Sequence, residues 1–350
     1  MSARLSLATL ILLAACTPAE PPTTPNPAQP MEPAQPMEPA QPMEPARQPI
    51  PPRPPAEPLP QVAAGRIERL TMPATERLPE RRVDVWLPDG YPAQAPYAVL
   101  YAQDGQMLYD AGTTWNRQEW RMDETAAAVI AEGQVRPFLV VGIWNSGTTR
   151  HVDYFPQAAW ATLTPEHRAE LARAEREPGQ RLFAGEVRSD AYLDWLVGTL
   201  KPEIDRRFAT DPSREATAVM GSSMGGLISM YALLRHPEVF SGAACLSTHW
   251  PGAFDPNDAR IPEAFLALLR ERLPMPGRHR LYFDRGDATL DAWYPRWQDA
   301  ADEALRKRGW TDPWAVSVAV PGADHSEAAW AARLDQPLQL LFAPWPDAAP

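Results

Sequence analysis

The chain has 350 residues, is 45% hydrophobic and 22% charged, and sets 44 acidic against 33 basic side chains for a net charge of −11. With no basic cluster, that balance argues against a nucleic-acid partner, since phosphate contacts need a basic face. Two cysteines, Cys16 and Cys245, exclude a disulfide framework, and 42 prolines far exceed ordinary usage and are unevenly spread.

At the N-terminus Arg4 precedes an apolar run from Leu5 to Ala15, too short to span a bilayer but suited to the apolar core of a secretory signal. The run ends Leu13-Ala14-Ala15-Cys16, which resembles a bacterial lipobox. That resemblance implies that residues 1–16 target the chain and that Cys16 is lipidated. The exported protein would then be anchored to the cell envelope, and Thr17, in place of Asp, fits outer-membrane sorting. An ordinary signal cleaved after the Ala pair, with secretion, is the alternative. Residues 18 to 60 hold 18 prolines and three tandem copies of Pro-Ala-Gln-Pro-Met-Glu, at 27–32, 33–38 and 39–44. Proline fixes φ and removes backbone donors, so residues 17–60 read as an extended, solvated spacer reaching about 130 Å at full stretch.

After residue 60 the pattern alternates. Strand-like runs fall at 82–87, 97–101, 138–143, 217–220, 242–246, 280–283 and 315–320, and helical ones at 122–132, 191–208, 226–236, 262–273, 293–307 and 328–334. Most of the strands are too apolar to have a wet face. Strands of that kind belong to a mostly parallel sheet covered by helices on both faces, so residues 61–350 read as one α/β domain. Residues 157–189 are polar and charged and read as an insertion, either a flap over the site or a surface excursion.

Within that alternation, Gly221-Ser222-Ser223-Met224-Gly225-Gly226 follows the apolar run Ala218-Val219-Met220 and opens a helix-forming run. Strand, sharp turn and helix are what a nucleophile elbow requires, with Ser223 at the apex and glycines where Cβ atoms would clash. A serine nucleophile needs a base and an orienting acid at the same sheet edge. His325 follows the last strand, where the base of such a fold belongs, whereas His167, His236 and His279 look like surface residues. The acid follows the penultimate strand: Asp291 is preferred, because Asp284 still lies on the strand, and Asp287 is the runner-up. Whichever of Asp291 and Asp287 is not the acid is expected to cap the following helix. Amides of Met224 and Gln106, the latter beyond the Asp104-Gly105 turn, form the expected oxyanion hole. Cys245, among apolar neighbours, reads as a small buried hydrophobe.

Several segments in order resemble the esterases grouped with esterase D and the ferric enterobactin esterases, within the α/β hydrolases. They are Leu100 to Gln106, Glu119 to Glu124, Val141 to Asn145 with Arg150 and Tyr154-Phe155-Pro156, Gly221 to Gly226, and Gly322 to Glu327. The resemblance covers nearly all of 64–345. It implies the α/β-hydrolase fold, Ser223 as nucleophile, His325 as base and an acid within 284–291. Trp120, Asn145, Arg150, Tyr154, His249 and Trp250 are candidates to line the substrate pocket. Trp120 and Trp250 have packing as the plain alternative, and Arg150 has pairing with an acid such as Asp153. His151 and Asp153 supply two metal-type ligands without a third, so neither metal nor cofactor is assigned. The expected activity is hydrolysis of a carboxylic ester, small-molecule or glycan. An acyltransferase acting on envelope glycans or lipids, or a non-catalytic binding protein on the same scaffold, is the alternative.

Overall fold

The computed structural model describes residues 58–345; the targeting segment, Cys16 and nearly all of the spacer lie outside the described residues. The strands are β1 (Arg66–Met72), β2 (Arg81–Leu87), β3 (Ala98–Gln103), β4 (Phe138–Ile143), β5 (Glu175–Glu177), β6 (Gln180–Arg181), β7 (Thr217–Ser222), β8 (Gly242–Leu246), β9 (Arg280–Arg285) and β10 (Ala315–Ala319). The helices are α1 (Met122–Ala131), α2 (Arg150–Tyr154), α3 (Gln157–Thr162), α4 (Pro165–Leu171), α5 (Ser189–Trp195), α6 (Lys201–Arg207), α7 (Met224–Arg235), α8 (Arg260–Arg272), α9 (Pro295–Lys307), α10 (Glu327–Ala331) and α11 (Asp335–Phe342). None is long and apolar enough to cross a membrane.

Eight strands form one sheet in the order β1-β2-β4-β3-β7-β8-β9-β10. From β4 to β10 every pair is parallel, while β1 and β2 are antiparallel additions. Side chains alternate across a strand, so Val99 and Val219 enter one buried layer with Leu227 and Phe265 while Leu100 and Met220 enter the other with Val129 and Leu338. This is the α/β-hydrolase architecture, a mostly parallel sheet between two helical layers. The parallel strands end along one edge, where their loops meet.

Several features differ from the sequence reading. β1 is absent from it, because Arg66–Met72 is an edge strand whose exposed Arg66, Glu68 and Thr71 break up the apolar signal. The expected helix 191–208 is α5 and α6 joined by a wider turn at Leu196–Leu200; Pro202, without an N–H, cannot complete the regular ladder there. His167 and His279 are buried rather than superficial: His167 Nε2 pairs with Asp258 at 2.8 Å and His279 Nε2 meets the Pro237 carbonyl at 2.8 Å. The exposed neighbours Pro165 and Arg278 hid this.

Residues 157–189 fold as α3, α4 and the β5–β6 hairpin. Ala159, Leu163, Leu171, Leu182 and Phe183 are buried in the core, and α3 packs on α8, while the hairpin itself is exposed. Cys245 is buried in β8.

The chain enters the domain along α1. Asp123 Oδ2 accepts from the Ala63 amide at 2.6 Å, and the Trp86 indole donates to the Ala64 carbonyl at 2.8 Å. Burial, then the neighbouring Glu124, push the Asp123 carboxyl up to about 6. An acid raised in the folded state binds its proton more tightly there than when unfolded. Its stabilising contribution is complete below pH 3.8 and is lost as pH rises through about 6. Urea unfolding at pH 4, 5, 6 and 7 is therefore expected to give Asp123→Asn a shallower decline than wild type over that window; parallel curves would refute it.

Candidate active site

Ser223 sits at φ 55°, ψ −121°, between the end of β7 and the start of α7. That region is strained for any residue with a Cβ, and the turn persists because its neighbours over-determine it. The Ser223 amide donates to the Leu246 carbonyl at 2.9 Å, and its carbonyl accepts from Gly226 at 3.0 Å and His249 at 3.2 Å. Gly221 is obligatory here, since a Cβ on it would lie 2.6 Å from the Gly225 carbonyl oxygen; one on Gly225 would lie 3.1 Å from Asp104 Oδ2, a tight contact. Ser223 retains partial exposure.

His325 follows β10 on the loop before α10. Its Nδ1 bonds Asp291 Oδ1 at 2.5 Å, its amide donates to Thr289 Oγ1 at 2.9 Å, and its ring meets Trp330 and Tyr294 edge-to-face at 5.0 and 5.8 Å. The side chain keeps 14% exposure, enough to face a ligand. Asp291 is fully buried, and its second oxygen accepts from Ser247 Oγ and the Gly286 amide, both at 2.6 Å. Burial alone would raise this carboxyl, but the bonds from His325, Ser247 and Gly286 outweigh it and hold the group below its usual range. His325 meets the Tyr294 ring, and among the described residues no direct hydrogen bond joins His325 to Ser223. Such bonds commonly close only when substrate binds.

The other two acids have different employment. Asp284 is buried in a bidentate pair with Arg333, at 2.9 Å for both bonds. Asp287 is exposed and accepts from the Gly322 amide at 2.7 Å. It thus ties down the turn before His325 instead of capping a helix, because the loop folds back across the sheet edge.

Gly105–Met107 forms a single 3-10 turn after β3, with Asp104 in the left-handed region at φ 56°. A Cβ on Gly105 would lie 2.3 Å from the Gly142 carbonyl carbon, so only glycine lets this turn lie against β4. The Gln106 and Met224 amides each sit in a first helical turn, where amides lack a partner within the helix.

Two of the pocket candidates lie on the rim. Arg150 forms a bidentate pair with Asp104, both bonds at 2.7 Å, and Asn145 Nδ2 donates to Asp104 at 2.7 Å. Arg150 therefore does not pair with Asp153, which is held by Arg81 at 2.5 Å and Arg188 at 2.6 Å. The other four are buried. Tyr154 lies beneath the Arg150 guanidinium at 5.1 Å, Trp120 packs on Trp330, and Trp250 donates to Gln298 at 3.0 Å. His249 bonds the Tyr294 phenol at 2.8 Å through Nδ1. As placed here, these four do not line an open pocket; aromatic and His side chains give the same sequence signal whether they pack or bind. His151 turns to the Gly252 carbonyl at 2.9 Å, away from Asp153's arginines, so the two do not converge on a metal. Asp104, Ser247 and Tyr294 carry the site's hydrogen bonds, and nothing in their local sequence distinguishes them from ordinary turn and helix-start residues.

The model of the Esterase family, described as "Putative esterase", matches residues 76–341. An endo-1,4-beta-xylanase/feruloyl esterase of Xylanibacter ruminicola is 24% identical over 289 residues, covering 79% of this chain and 31% of that protein. The ferri-bacillibactin esterase BesA of Bacillus subtilis is 26% identical over 205 residues, covering 54% of this chain and 64% of its own length. The chain thus spans less than two thirds of either relative. Among solved structures, an IroE-like serine hydrolase from Shewanella oneidensis superposes with a TM-score of 0.57 at 19% identity, covering 79% of this chain and 80% of that one, a likeness of fold.

Proposed function

This chain belongs to the esterase family, and from that premise we propose that it hydrolyses carboxylic esters through an acyl-enzyme on Ser223. The observation that carries the reading is the Asp291–His325 bond at the same sheet edge as the strained serine turn. Ser223 Oγ attacks the ester carbonyl and gives its proton to His325; Asp291 fixes the imidazole by its Nδ1 proton and stabilises the imidazolium. The oxyanion is met by the amides of Met224 and Gln106, the former at the positive end of α7. His325 then protonates the leaving alcohol and activates the water that releases the acid.

A fluorophosphonate probe tests this directly. Peptide mass spectrometry is expected to find the adduct on Ser223, and a wild-type chain left unlabelled would overturn the reading. The names of the relatives make feruloyl and bacillibactin esters the first substrates to assay. We further propose that the enzyme works at the envelope, anchored through a lipid on Cys16 with residues 17–60 as tether. Metabolic labelling with a palmitate analogue should mark the wild-type chain and not Cys16→Ser; equal labelling of both would refute the anchor.

A further inference from the structure

The carboxylate that orients His325 is itself held by a residue to which the acyl-enzyme mechanism gives no task. Ser247 follows β8 in the left-handed region at φ 41°, its amide shared between the backbone carbonyl and Oδ1 of Asp284, both at 3.0 Å. Its buried hydroxyl lies 2.6 Å from Asp291 Oδ2. Two further groups reach the same oxygen, the Trp330 indole nitrogen at 2.9 Å and Arg333 Nη2 at 3.1 Å. Arg333, between α10 and α11, grips Asp284 through Nε and Nη2 and the Ala329 carbonyl through Nη1, each at 2.9 Å.

Counting donors fixes how the hydroxyl is used. An indole N–H and a guanidinium can only donate, so together they take both acceptor positions of the Ser247 oxygen. Its single proton is left for Asp291, a carboxylate that can only accept. Asp291 Oδ2 thus receives the Ser247 hydroxyl and the Gly286 amide, both at 2.6 Å, and Oδ1 is left for His325 Nδ1 at 2.5 Å. Arg333 spends its charge on Asp284, so what reaches Asp291 is an oriented neutral donor and not a cation that would compete with His325 for the carboxylate.

We propose that Ser247 is a positioning residue for the reaction, its hydroxyl proton locked onto Asp291 by Trp330 and the Arg333–Asp284 pair so that the carboxylate presents Oδ1 to His325. This rests on the Ser223, His325 and Asp291 reading. Held at Oδ2 by two donors, the carboxylate keeps one orientation while Oδ1 stabilises the imidazolium formed in each half of the cycle. The titratable and charged groups around Asp291 are His325, Arg333, Asp284 and the Tyr294 phenol, with His249 beyond the phenol. Pairing with Asp284 outweighs burial and keeps Arg333 charged, while burial and Asp291 keep the phenol protonated. Asp287 and Asp324 are exposed and bonded to the Gly322 amide and the Ser326 hydroxyl. All of these are unchanged by a substitution at 247.

The test uses the full chain, a p-nitrophenyl ester and a fluorophosphonate titration that counts working sites. Ser247→Ala keeps its Cβ at φ 41° and removes the donor, so kcat per titrated site is expected to fall about fivefold to fiftyfold with KM within about twofold, as for one lost hydrogen bond to a charged group. The acid limb of its pH–kcat profile should move up by about half a pH unit or more, because Asp291 loses one of the donors that hold it ionised and takes up a proton sooner as pH falls. Ser247→Cys, whose thiol fills the same place as a weaker donor, should fall between wild type and Ser247→Ala in both readings. An unmoved acid limb overturns the proposal, as does wild-type kcat per site with fewer titratable sites, the result of a purely structural role. If Ser247→Ala fails to fold, Ser247→Cys decides it by the same two readings. Ser223→Ala separates the two levels: if it stays active the nucleophile assignment fails, and if it is dead while Ser247→Ala is unimpaired only this inference falls.

Discussion

Ser223→Ala is expected to lower kcat by about 10⁴-fold or more while leaving the chain folded, because loss of a serine nucleophile removes the covalent route and leaves only binding and oxyanion stabilisation. The fold should survive. Alanine keeps the same Cβ at φ 55°, and the bonds that pin the turn, to Leu246, Gly226 and His249, are all made by backbone atoms of residue 223. Ester turnover and circular dichroism measured together separate lost chemistry from lost structure. A folded variant with wild-type turnover would remove Ser223 from the mechanism.

The second large effect concerns the acid. Asp291→Asn is expected to cost about 10³- to 10⁴-fold in kcat, with Asp287→Asn within about threefold of wild type. Asp291 receives Ser247 Oγ and the Gly286 amide on one oxygen and His325 Nδ1 on the other. An asparagine there keeps its carbonyl oxygen for the first two donors, which turns its NH2 toward His325. The imidazole must then accept at Nδ1 and carry its proton on Nε2, where it cannot take one from serine. Asp287, exposed and bonded to Gly322, makes no comparable contact. A greater loss in Asp287→Asn than in Asp291→Asn would exchange their roles.

Much of the fold was legible because buried parallel strands are written as continuous apolar runs: Phe138 to Ile143 and Gly242 to Leu246 match β4 and β8 residue for residue. The serine elbow was legible for a related reason. Its Gly221 is demanded by a contact within a few residues of chain, as the 2.6 Å approach of a Gly221 Cβ to Gly225 shows. β1 was not, since an edge strand with one wet face carries little apolar signal, and neither was the partner of Arg150. Sequence proximity favoured Asp153, three residues away, yet Asp104 takes the guanidinium because the turn after β3 and the start of α2 meet at the sheet edge.

By itself, then, the sequence determined the α/β alternation, the serine turn and the membership of His325 in the last loop, all matters of local period, backbone sterics and order along the chain. Only the tertiary structure decided which acid meets that histidine, which aromatic and His side chains are buried instead of lining a pocket, and that the Tyr294 phenol meets His249. Those are contacts between segments tens of residues apart. Their geometry is set by how loops from β3, β7, β8, β9 and β10 converge on one edge, and no local pattern encodes that convergence.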